Sequence, residues 1–260
     1  MRGHAWWLCG LVAMSGCALV KDVTDTVQGV LEPIVAVGLV TALDPPTSEL
    51  VDLSELELGV GIGATVFLAD ARDVSDLAQA PVTGAELALA GCGASEALSE
   101  DADGTYTLVP GNELDGCGAA VLELSRSDVD PGLFAPFTLP DPPSFTLPER
   151  WTAGDDLVIP LAATDFDSGL VVVVDVQRGE VVFSNEPQGV RGYYDFLMGA
   201  GELADLTVPG STFEEDATYV IVVTGLRKVQ NRDIDEANTL LTVLHGGRAR
   251  AYALTTVALP

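Results

Sequence analysis

The side chains able to do chemistry in this 260-residue chain are few in kind: four cysteines, two histidines and 39 acidic residues. One histidine, His4, stands near the start; the other, His245, lies in LHGGRA. A histidine base serves a serine nucleophile only with an orienting acid and an activated hydroxyl, and no G-x-S-x-G context accompanies His245. The glycines that follow it read instead as a hairpin or loop turn. No P-loop and no G-x-G-x-x-G fingerprint occurs. Two carboxylates facing one another across a cleft hydrolyse glycosidic bonds, but abundance of acids does not by itself make such a pair. Clustered carboxylates bind calcium, which takes about six to eight oxygens. Asp101 and Asp103 in DADG, and Asp165 and Asp167 in DFDSG, are the candidates. Both clusters are shorter than an EF-hand loop and lack its closing glutamate, and Asp and Gly also serve turns for backbone reasons. A turn role is therefore the expectation, with no cofactor, and calcium is the metal these clusters would take.

Thiol chemistry begins at the N-terminus. Arg2 precedes a stretch, Ala5 to Met14, that is apolar or glycine throughout. This is the charged region and short apolar core of a secretory signal. A membrane-spanning helix needs about 20 apolar residues, and Lys21 cuts the run short. Its end, Met14-Ser15-Gly16-Cys17, resembles the lipobox of bacterial lipoproteins, although methionine stands where leucine is usual. The resemblance implies that residues 1–16 are a signal peptide. It also implies that Cys17 carries a diacylglyceryl thioether and an amide-linked acyl chain. The protein is then exported and lipid-anchored in the bacterial cell envelope, at the outer membrane, with the lipid bilayer as a partner. Each buried methylene contributes about 0.8 kcal/mol, so several chains hold where one does not. Cys9 leaves with the signal. With Cys17 acylated, Cys92 and Cys117 remain as an even pair in a compartment that permits disulfides, and we expect them to be joined. A zinc site needs more Cys and His ligands than these two thiols and His245 supply.

The formal net charge is −27. Such a surface repels phosphate backbones, which excludes nucleic acid as a partner, and it keeps an exported protein soluble. With 48% hydrophobic residues the chain is no disordered acidic tail. Arg227, Lys228, Arg232, Arg248 and Arg250 gather near the C-terminal end. They read as a solvated strand face or as a patch that docks an acidic partner or the acidic first domain.

Strands must position these groups. Val23, Val27, Val30, Leu31 and Ile34 fall at helical spacing, with Pro33 interrupting, so residues 18–33 read as a tether with one short amphipathic helix; IVAVGLVTAL reads as a buried strand. Between about 57 and 140, short runs such as GATVFLADA, GAELALA, GTYTLV and AAVLELS alternate with turn residues, the pattern of an all-β sandwich. Within it, APVTGAELAL followed by SEDADGTYTL resembles the paired signature of carboxypeptidase-regulatory-like, transthyretin-like domains. The insertion PGNELDGC departs from that family's short connection. FTLPDPPSFTLPER cannot form an interior strand or helix and reads as a semi-rigid linker. Beyond it, GSTFEEDATYVIVVTGL resembles the late strands of fibronectin-type or other immunoglobulin-like domains, which implies that Tyr219 is a structural corner bonded to nearby backbone.

The reading is all-β: two immunoglobulin-like/transthyretin-like β-sandwich domains after a signal peptide and tether. Residues 1–16 are the signal and 17–56 the lipidated N-terminus and tether. A transthyretin-like sandwich takes 57–140, a linker 141–150 and an immunoglobulin-like sandwich 151–260. The expected role is non-enzymatic, the display of binding or structural modules to a protein or carbohydrate ligand. The alternatives are a carboxylate-dependent polysaccharide hydrolase and a calcium-stiffened adhesion stalk.

Overall fold

The computed structural model describes residues 34–44, 61–70, 81–101, 104–126, 129–198, 203–229 and 241–258. Cys17, the tether at residues 18–33 and 45–56, Asp103 and Arg232 lie outside the described residues. The chain is all-β. Its strands are β1 (Ile34–Leu43), β2 (Gly61–Asp70), β3 (Glu86–Gly91), β4 (Ala94–Ala97), β5 (Ser99–Glu100), β6 (Thr105–Leu108), β7 (Ala119–Arg126) and β8 (Val129–Thr138). They continue with β9 (Arg150–Thr152), β10 (Leu157–Ile159), β11 (Ser168–Asp175), β12 (Glu180–Ser184), β13 (Leu206–Val208), β14 (Thr218–Val229) and β15 (Leu241–Val257). One α-helix among the described residues, α1 (Gly189–Met198), follows β12.

A nine-stranded sheet runs β12-β11-β14-β15-β1-β2-β6-β5, with β9 pairing the far end of β15. It curls as a half-barrel. A four-stranded sheet, β4-β3-β7-β8, and a two-stranded one, β10-β13, complete the framework. The central strand is β1, parallel to β15 and antiparallel to β2. Its unbroken apolar run is what a strand buried on both faces requires. Ile34, Ala36, Val40 and Ala42 enter a core closed by Leu87, Leu89, Leu122 and Leu124 of the four-stranded sheet. Val35, Val37 and Leu39 point the other way, into a core closed by Tyr193 and Leu197 of α1. A third core joins Val171, Val173, Tyr219 and Ile221 to Leu157, Val208 and Phe213. Strands from the 57–140 segment and from the 151–260 segment therefore share one sheet, and β1, drawn from the 17–56 segment, lies between them.

Two local readings change. His245, Gly246 and Gly247 do not form a turn; β15 runs straight through them. The glycines are there for space. A Cβ at Gly247 would collide with Leu226 and Thr224, and one at Gly246 would touch Leu139. The proline-rich linker is laid on β15 as it passes. Phe145 and Tyr252 stack with ring centroids 5.6 Å apart, and the Tyr252 hydroxyl donates to the Phe145 carbonyl at 3.0 Å.

Candidate functional site

The cysteine-closed insertion is tied down by a disulfide and by side-chain hydrogen bonds. Cys92 and Cys117 are joined, their Cα atoms 6.0 Å apart. Cys92 sits at φ 50° and Gly93 at φ 87°, so the two-residue turn between β3 and β4 has both central residues in the left-handed region, as a type I′ turn requires. From the other end of the bridge, residues 110–117 fold over the start of β2. Leu114 is fully buried in the core between the sheets. The Asn112 amide donates to the Ile62 carbonyl at 2.7 Å, and the Ile62 N–H donates to Asp115 Oδ1 at 3.1 Å. Two side chains thus replace a missing neighbouring strand. Arg248 completes the clamp: its Nη2 donates to the Cys117 carbonyl at 3.1 Å and its Nη1 lies 3.6 Å from Asp44. Of the basic group near the C-terminal end, Arg248 reaches the first segment, as a docking patch would. Arg227 pairs with Asp165 instead.

Five further carboxylates are spent in a similar way. Asp167 Oδ2 accepts the Lys228 N–H at 2.7 Å, continuing the β11–β14 ladder by one rung. Asp156 accepts from Gly210 N–H at 2.6 Å, Asp205 from Ala162 N–H at 2.9 Å, and Glu100 from Gly84 N–H with both oxygens at 3.0 Å. Asp175, buried at the end of β11, accepts the Gln177 and Arg178 N–H groups at 2.9 and 3.0 Å. Arg178 bridges Asp175 to Glu214, 2.9 and 2.6 Å away. Its hydrogen bond and charge hold the Glu214 carboxyl below the usual range, and Glu214 in turn raises the guanidinium. Beside it the Glu214 N–H donates to the Tyr219 hydroxyl at 2.8 Å, the local backbone contact that the corner reading implies. A second buried tyrosine does comparable work. Tyr106 donates to the Val82 carbonyl and accepts from the Ala85 N–H, both at 3.2 Å.

Of the candidate cation ligands, Asp101 accepts weakly from the Thr107 hydroxyl at 3.4 Å, while Asp165 and Asp167 face Arg227 and a backbone amide. Among the described residues no three His, Cys, Asp or Glu side chains converge as metal ligands would. A concavity of about 210 Å³ opens at the junction of β1, β14 and β15, bounded by Thr41, Leu43, Pro110, Val222, Thr224 and Ala249. Among the described residues no ionisable side chain lines it, and those that do offer apolar contact and hydroxyl hydrogen bonds. His245 is fully buried, and neither ring nitrogen has a hydrogen-bond partner among the described residues. Burial pushes the imidazole down to about 4.

Sequence reasoning missed the buried position of His245, the role of Asn112 and Asp115, and α1. The first was hidden by Gly246 and Gly247, whose turn signal outweighs a strand pattern. The loop contacts carry no local signature, since they join residues separated by 50 and 53 positions. A comparison with known protein families found no family model that matches this chain, and no curated protein matches it.

Proposed function

We propose that this chain is a non-enzymatic lipoprotein of the bacterial envelope, held to the bilayer by acylated Cys17 and displaying its β-sheets to a protein or carbohydrate partner. The observation that carries the reading is the commitment of six carboxylates, one of them half of the loop clamp, to backbone donors. Asp115, Asp156, Asp167, Asp175, Asp205 and Glu100 each accept from backbone amides. A general acid or base must instead be free to exchange a proton with a substrate. Their work is to satisfy backbone donors where loops leave the ladders. A rigid, acid-studded scaffold is what a displayed module needs, because binding loops on a fixed frame lose little entropy when they meet a partner. The finer fold reading belongs to the same proposal. The type I′ turn between β3 and β4 supports a transthyretin-like unit in 57–140, and the Tyr219 corner supports an immunoglobulin-like unit in 151–260.

Metabolic labelling with a fatty-acid probe tests the anchor. Wild-type protein is expected to incorporate label and to partition with membranes; Cys17→Ser is expected to do neither. Equal labelling of the two proteins refutes the anchor.

A further inference from the structure

The sheet face beneath α1 contains a histidine. Alternation along β15 puts His245 on the face that carries Val243, and register sets it beside Leu39 of β1 and Lys228 of β14. Val243 and Leu39 belong to the core that Tyr193 and Leu197 of α1 close. The charged groups that bear on the ring are Asp167, from the turn before β11, and Lys228. Asp167 is exposed and already accepts the Lys228 N–H. From α1, the Tyr193 hydroxyl is bonded to Glu186 at 2.5 Å and Asp195 is exposed. Protonation would therefore bring a charge and a second N–H donor into a site where neither ring nitrogen meets an acceptor, next to a lysine.

We propose that His245 is an acid-sensitive latch, whose protonation releases α1 from the face formed by β1 and β15 while the four-stranded sheet keeps its packing. The sign follows from linkage. Burial lowers the imidazole to about 4 when α1 is docked, with Asp167 acting against the shift and Lys228 with it. Once exposed, the ring returns to about 6.5. The closed state is therefore fully favoured above about pH 6.5 and loses ground as pH falls toward the lower value. Between pH 7 and pH 5 the opening equilibrium rises about 20-fold.

Hydrogen exchange on the full chain, corrected for the intrinsic rate at each pH, reads this directly. Protection of residues 189–198 is expected to fall about 20-fold between pH 7 and pH 5, with β3 and β7 unchanged. His245→Phe is expected to remove that dependence. Equal loss across all sheets, or the same loss in the variant, overturns the latch. Should the phenylalanine prevent folding, an imidazole resonance followed in His4→Gln protein, which retains His245 alone, decides the matter. A midpoint near 6.5 without exposure of α1 overturns the proposal; a ring that titrates only as α1 opens supports it.

Discussion

Gly61 shows how far a single position reaches in this chain. Its φ of +116° lies where side chains rarely go, and a Cβ there would strike the Asp115 carboxylate. The glycine is needed so that Asp115 can approach the Ile62 N–H. Asp115→Ala leaves that donor without its partner and is expected to cost about 1–3 kcal/mol in equilibrium urea unfolding. Asp115→Asn keeps an acceptor and should cost much less. Gly61→Ala should be destabilising through both strain and loss of the same contact, so the two changes combined are expected to fall short of their sum. Full additivity would mean that Gly61→Ala does not act through that contact.

Among the elements, the hairpin β3–β4 and the loop 110–117 depend on one bridge. The disulfide spans 25 positions. On the chain-entropy estimate its loss costs about 3–4 kcal/mol. Replacing both cysteines by serine is expected to lower the urea midpoint and to steepen the slope, because the uncrosslinked unfolded chain exposes more surface. A midpoint equal to wild type would show that Leu114, Asn112, Asp115 and Arg248 hold the loop unaided. The strands in this region were legible because short alternating runs sit between turn residues: GAELALA became β3 and AAVLELS became β7. β8 was not, since Pro131, Gly132 and Pro136 argue against a strand; its place at the edge of its sheet makes them tolerable. α1 was missed for a related reason. GVRGYYDFLM holds two glycines in ten residues, and the helix forms because the apolar face of the sheet needs Tyr193 and Leu197 to cover it. Of the candidate site, the disulfide partners could be read from cysteine number and from the export that the lipobox resemblance implies. The side-chain bonds to Ile62 could not, because nothing local records which distant amide lacks a partner.

For the whole molecule, the shared sheet makes a thermodynamic statement. β1 pairs with β2 on one side and β15 on the other, and two of the three cores draw side chains from both halves, while the third lies within the second half. Calorimetry is expected to give one unfolding transition. Two transitions separated by more than about 10 °C would show the halves to be independent. The parallel pairing of β1 and β15 also decides how the molecule meets force. β1 begins next to the tether, and β15 ends near the C-terminus, after nine registered pairs that run the same way. With the chain held at Cys17 as proposed and a partner pulling on the far end of β15, the two strands are drawn past each other along their lengths. Every rung then bears load at once instead of opening one by one. A module with its two attachment points on neighbouring parallel strands resists tearing at its centre, and yields first in whatever lies outside that pair.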